Sequence, residues 1–155
     1  MIQRIQTFYL FLVAGLFFTL FFLPLVHIQS GDVIYSFKVT GLYSLVSPGE
    51  LGFSTWSLLV ITIIILCLSI LSIFKFKKRV LQIRLCIYNA LLIAGFCLLF
   101  GFYLWQFKRS PEFPDMIIHF RFWCCFPLIA LILDYLAIRS IGVDEAMVRS
   151  LDRLR

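Results

Sequence analysis

The chain has 155 residues, 62% of them hydrophobic and 14% charged, with a mean hydropathy of +1.01 and a net charge of +6. A water-soluble domain of this length would expose large apolar patches under such a load, and there is no room for a separate soluble domain. The positive charge lies mostly between and after the apolar runs, so it reads as membrane topology and attraction to anionic lipid; nucleic-acid binding is not needed to explain it.

Four apolar runs, 5–26, 55–74, 80–105 and 117–138, are each long enough to cross a bilayer as a helix. Backbone polar groups in lipid must be satisfied internally, so each run is expected to be helical. They lack the short alternation of an outer-membrane barrel. The expected fold class is an all-α membrane protein: a four-helix transmembrane domain over 1–139, then a cytoplasmic amphipathic tail over 140–155.

The first run follows Arg4 and ends in Leu23-Pro24-Leu25-Val26-His27, with no small-x-small cleavage site. It reads as an uncleaved signal anchor. The loop from 28 to 54 is the longest connection. Val33, Tyr35, Phe37 and Val39 alternate with Ile34, Ser36, Lys38 and Thr40, which predicts a strand. Gly41 allows a turn, and Leu42-Tyr43-Ser44-Leu45-Val46 returns as a second strand of a hairpin. Ser47-Pro48-Gly49 breaks the pattern before the second run.

A tight basic turn, with Lys75, Lys77, Lys78 and Arg79, makes the second and third spans antiparallel neighbours. The third span carries Ala90, Ala94, Cys97 and Gly101 at spacings of four, three and four, a smooth stripe for close helix contact. Arg84, Tyr88, Leu91 and Gly95 form another face, and Asn89 adds an amide for a helix–helix contact. The second outer loop, Lys108-Arg109-Ser110-Pro111-Glu112-Phe113-Pro114-Asp115, is stiffened by two prolines.

The fourth span contains Asp134, about one turn inside its cytoplasmic end. Trp123, Pro127, Ala130, Asp134 and Ala137 share one face, mostly small, which should pack against another helix. A carboxylate within a span normally faces protein or water. Arg84 lies at matched depth on a span of opposite direction, so a structural Arg84–Asp134 ion pair is expected, with Arg139 as competing partner. A proton or ion relay is the functional alternative; it normally needs several acidic or histidine groups through the membrane.

Gly142 is expected to interrupt the fourth helix, with Asp144 capping a separate tail helix. Val143, Met147, Leu151 and Leu154 make its apolar face, and Glu145 and Arg149 an i,i+4 pair. Asp144, Glu145, Met147, Arg149, Leu151, Asp152 and Arg153 are the candidate partner-docking residues; an anionic membrane surface is the other candidate target.

Ten of the fourteen basic residues fall on one side of this arrangement, which makes that side cytoplasmic and puts both termini inside. Trp56, Trp105 and Trp123 then fall near the outer interface, where indole rings prefer to sit. All five cysteines, Cys67, Cys86, Cys97, Cys124 and Cys125, lie in or at the edge of apolar runs and read as packing residues. His27 and His119 fall at the outer interface; solvated imidazoles are the plain reading, haem or quinone ligation the sharper one. No phosphate loop, nucleophile elbow or metalloprotease helix is present, and no cofactor or metal is implied.

The opening Met1-Ile2-Gln3-Arg4-Ile5-Gln6-Thr7 and the closing segments, Leu136-Ala137-Ile138-Arg139-Ser140-Ile141 followed by Asp144-Glu145-Ala146-Met147-Val148-Arg149-Ser150-Leu151-Asp152-Arg153-Leu154-Arg155, resemble the domain-of-unknown-function family 4293. These are four-helix membrane proteins of Bacteroidota. The resemblance implies an inner-membrane location and transfers no catalytic residue. The expected function is a non-enzymatic accessory or structural subunit that binds other inner-membrane proteins and anionic lipids. The alternative is a small transporter or a lipid- or quinone-binding protein around Asp134, Arg84 and Asn89.

Overall fold

The computed structural model describes residues 2–30, 33–45, 51–75, 78–110 and 116–153, with side chains described for 5–30, 33–45, 54–75, 78–110 and 116–147. The Ser47-Pro48-Gly49 break and both prolines of the second loop lie outside the described residues. So do the side chains of Arg149, Leu151, Asp152 and Arg153.

Four helices, α1 (Ile2–Thr19), α2 (Trp56–Phe74), α3 (Arg79–Arg109) and α4 (Phe126–Arg153), pack in a ring. Each touches two neighbours: α1 meets α2 and α4, and α3 meets the same two. The helices α2, α3 and α4 are long and apolar enough to cross a membrane, while α1 is a shorter apolar helix.

Each helix buries one narrow stripe at three- and four-residue spacing. On α1 it is Gln6, Leu10, Val13 and Phe17; on α2, Leu58, Thr62, Ile65, Ser69 and Ser72. On α3 it is Gln82, Cys86, Asn89, Ile93 and Phe96; on α4, Ala130, Asp134, Ala137 and Ile141. Such spacing puts each set on one side of its helix. Phe17 and Phe96 meet edge to face across the ring, with centroids 5.6 Å apart. The opposite sides of the helices are also apolar: Phe11, Phe18, Leu91, Leu98 and Ile132 are all more than half exposed.

A five-stranded antiparallel sheet caps one end of the bundle. Its strands are β1 (Val26–Ser30), β2 (Val33–Lys38), β3 (Gly41–Ser44), β4 (Leu51–Ser54) and β5 (Ile117–Phe120), in the order β4-β3-β2-β1-β5. The expected hairpin is β2–β3, with Lys38 opposite Gly41 across a two-residue connection. The sheet is anchored by Phe37, whose ring lies 5.6 Å from Phe100 and 5.7 Å from Phe107 on α3. Thr55, fully buried, donates its hydroxyl to the Val39 carbonyl at 3.1 Å and so ties the start of α2 to the sheet.

Three expectations are corrected. The first run is not helical to 26: α1 ends at Thr19, and Val26 opens β1. Pro24 has no N–H to continue a helix and holds Leu23 out of the helical region. The run from 117 does not begin as helix either. Ile117–Phe120 pairs with β1, one 3-10 turn follows at Phe122–Cys125, and α4 begins at Phe126 with Pro127 in its first turn, where proline is tolerated. Finally, Gly142 does not interrupt α4, which runs unbroken to Arg153. A glycine costs a helix about 1 kcal/mol; buried Ile141 and the ion-paired Asp144 hold the helix on either side of it.

Candidate functional site

The bundle interior contains a polar layer between two apolar clusters. One cluster includes Phe17, Ile65, Ile93 and Ala130 and continues into the sheet; the other, Leu10, Cys86, Ala137 and Ile141, lies toward the tail end. Between them stand Ser69 from α2, Asn89 from α3 and Asp134 from α4. Ser69 donates to the Ile65 carbonyl at 2.8 Å. Asn89 Nδ2 donates to Ser69 Oγ at 3.2 Å and stands 3.5 Å from Asp134 Oδ1. Asn89 is 1% exposed and Asp134 0%. Asn89 Oδ1 and Asp134 Oδ2 have no hydrogen-bond partner among the described residues. Asn89 is neutral, and among the described residues no ion pair reaches the Asp134 carboxyl.

One level toward the tail, Ser72 Oγ and Cys86 Sγ lie 3.2 Å apart, joining α2 to α3. Beyond them Gln6 Nε2 donates to the Ser140 carbonyl at 3.3 Å, joining α1 to α4. Polar contacts thus link all four pairs of neighbours except α1–α2 among the contacts described. The sequence carried a signal for these residues: Gln82, Cys86 and Asn89 already stand at helical spacing within an apolar run, as do Ser69 and Ser72.

Asp134 is buried on the expected face with Pro127, Ala130 and Ala137, but its neighbour is Asn89 and not Arg84. Arg84 is exposed and lies two residues from both Gln82 and Cys86, hence about 200° around the helix from the buried stripe. It is also five residues from Asn89, about 7.5 Å along the axis. Both direction and depth take it away from Asp134. The ion pair formed between α3 and α4 is Arg79–Asp144, at 3.3 Å, with Arg79 Nη1 also donating to the Asp144 carbonyl at 3.2 Å. Asp144 therefore binds the start of α3 rather than capping a separate helix.

The small-residue stripe of α3 is likewise not its packing face. Ala90, Ala94 and Cys97 are half-buried, and Gly101 is exposed with nothing within 4 Å of where a Cβ would lie. Larger residues, Ile93 and Phe96, fill the contact instead. In the tail, Glu145 is half-buried and lines a recess at the α3–α4 end, whereas Val143 and Met147 are exposed. The cysteines are free: Cys86 is buried, Cys97 and Cys124 are half-buried, and Cys67 and Cys125 face outward.

His27 and His119, distant in sequence, are direct cross-strand partners in β1 and β5. With Gln29, Ile34 and Arg121 they line a recess of about 480 Å³ on the sheet. Burial, and then the positive charge of Arg121, hold His27 below the ordinary histidine pKa, with His119 acting in the same sense and a backbone hydrogen bond with Tyr35 opposing them.

A ring of four helices with a buried polar layer within its apolar interior and apolar side chains on its outside, capped by an antiparallel sheet, defines a small, mostly helical protein of membrane-like polarity. The chain belongs to the family described as Domain of unknown function (DUF4293), whose model matches residues 2–154. No curated protein matches it.

Proposed function

We propose that this chain is a non-enzymatic accessory subunit of a bacterial inner-membrane complex, crossing the bilayer four times with both termini cytoplasmic and the sheet outside. The observation that carries the reading is the apolar exterior of the bundle around a buried polar layer. Gln6, Thr62, Ser69, Gln82, Asn89 and Asp134 are buried, while Phe11, Leu91, Leu98 and Ile132 face outward. Water reverses that preference; lipid does not. At 18 residues α1 is about 27 Å long, close to the hydrocarbon thickness, and residues 20–24 complete its crossing. Among the described residues, Lys75, Lys78, Arg79, Arg84 and Arg139 lie toward the tail end, while Trp56, Trp105 and Trp123 lie toward the sheet end.

The interior polar groups contact one another from helix to helix, which suits a scaffold better than a reaction centre. The surface offered to other proteins is the edge strand β5, where Ile117 and Phe120 are exposed beside Phe122. A photo-crosslinking residue at Phe120, compared with one at lipid-facing Leu98, tests this in intact membranes. Discrete protein adducts from Phe120 alone are expected. Lipid adducts only, from both positions, would overturn the subunit reading. Alkaline phosphatase activity at a C-terminal fusion would overturn the topology.

The second reading, a small transporter or a lipid- or quinone-binding protein, is favoured by the two unpartnered oxygens of Asn89 and Asp134. Cation-driven uptake by reconstituted vesicles, abolished in Asp134→Asn, would select it over the first.

A further inference from the structure

Arg84 is a guanidinium on a largely apolar stretch of α3, and no ion pair meets it among the described residues. It lies more than one helical turn into α3, and among the described residues no ion pair or hydrogen bond reaches it. Its potential partner Asp134 faces the core, and Asp144 is engaged by Arg79. A charge at that depth in a bilayer requires compensation.

Arg84 lines a recess of about 860 Å³ at the tail end of the bundle. The recess is amphipathic along its length. Lys78 and Arg79 open it at the tail end and Arg84 follows more than a turn further up; Leu85 and Tyr88 continue it up the helix. Tyr88 is 59% exposed, so this apolar portion is open to whatever surrounds the bundle. Lys78 and Arg84 outnumber Glu145, the acid that lines the same recess.

We propose that this recess binds the phosphate of an anionic phospholipid, with Arg84 and Lys78 on the headgroup and Leu85 and Tyr88 against the glycerol and upper acyl chain. The inference rests on the membrane reading above and adds a ligand class to it. A guanidinium offers a planar pair of donors that matches phosphate oxygens, and basic recesses between helices on the cytoplasmic side suit anionic headgroups. Tyr88, one turn beyond Arg84, lines the recess next to the position a lipid's ester region would take with its phosphate on Arg84. An amphipathic ligand fits a recess that changes from basic to apolar over about three turns, from Lys78 to Tyr88; a soluble anion uses only one end of it.

The test uses the full-length protein in mild detergent micelles doped with phosphatidylglycerol or phosphatidylcholine, with inorganic phosphate as a third arm. Thermal unfolding gives the stabilisation, and native mass spectrometry of the wild type counts retained lipid. Phosphatidylglycerol is expected to raise Tm above phosphatidylcholine, and Arg84→Gln to weaken its apparent binding about five-fold. Lys108→Gln with Arg109→Gln, at the other end of α3, should leave that preference unchanged. Equal effects of the two lipids, or full preference retained in Arg84→Gln, would overturn the site. Inorganic phosphate alone reproducing the effect would overturn the lipid assignment. A chain that stays soluble and monodisperse without detergent would instead overturn the membrane reading beneath it.

Discussion

Asn89 and Asp134 face each other across α3 and α4, and ten residues further toward the tail on each helix Arg79 meets Asp144. The two contacts belong to one antiparallel register, separated by about 15 Å of helix. The inner contact is buried and neutral on the asparagine side; the outer one is an ion pair at the bundle end. This register explains why Asp134 lies deeper than its distance from the end of the apolar run suggested. The helix continues past that run, so the end of α4 is not the end of its hydrophobicity.

Removing one partner of the inner contact leaves the other buried and unsatisfied, at a cost of about 1–3 kcal/mol. Asn89→Leu and Asp134→Leu are each expected to lower stability on that scale. The double variant should lose less than the sum, because no polar orphan remains between those two positions. Unfolding in mild detergent measures the cycle. Strict additivity would mean that the contact has no energetic coupling.

The outer pair should matter little. Its side chains are 23% and 14% exposed, and screened pairs contribute about 0–1 kcal/mol. Arg79→Gln is expected to reduce stability within that range, and the swapped pair Arg79→Asp with Asp144→Arg to recover much of it. A loss several times larger from Arg79→Gln, without recovery in the swap, would show that Arg79 acts through something other than Asp144.

The sheet should weaken in acid. Its His27 is held below the unfolded value of 6.5 by burial first and by Arg121 second. Between the two values the unfolded state binds more protons, so stability rises with pH. The contribution is complete above about pH 6.5 and is lost as pH falls through the depressed folded value. Amide exchange in β1 and β5 should accelerate on acidification, and His27→Gln should flatten that dependence. An unchanged profile in the variant would move the effect to His119 or elsewhere.

Phe37 is the sheet's main apolar anchor, fully buried against Phe100 and Phe107. Phe37→Ala should cost about 3–5 kcal/mol and expose β2 and β3 to protease while the helices stay assembled. Simultaneous loss of helix and sheet protection would show that the cap and bundle are one cooperative unit.

The apolar runs revealed the four helices, and the alternation from Val33 to Thr40 revealed β2. What they concealed were the junctions. Val26 is buried in β1 and Ile117 lies in the exposed edge strand β5, and short continuous apolar strands have the same composition as helix ends. Asp134 and its small-residue face were legible from spacing on one helix. The identity of its neighbour was not, because that depended on the relative register and rotation of α3 and α4. Small size at Ala90, Ala94, Cys97 and Gly101 suggested close contact, but Ile93 and Phe96 occupy the interface.

The continuity of α4 gives the sharpest local test. Gly142 lies inside the helix, and an added Cβ would meet nothing within 4 Å. Glycine loses more backbone freedom on folding than alanine, so filling that position removes an entropic cost without creating a clash. Gly142→Ala is expected to stabilise the protein by about 0.4–1 kcal/mol. Had the glycine instead ended one helix and begun another, alanine there would favour a conformation the junction does not use, and stability would fall. Gly101→Ala, also helical and open, serves as the companion measurement and should shift in the same direction. A rise at 101 with a fall at 142 would place a real break in α4, and with it a tail whose orientation is not fixed by the bundle.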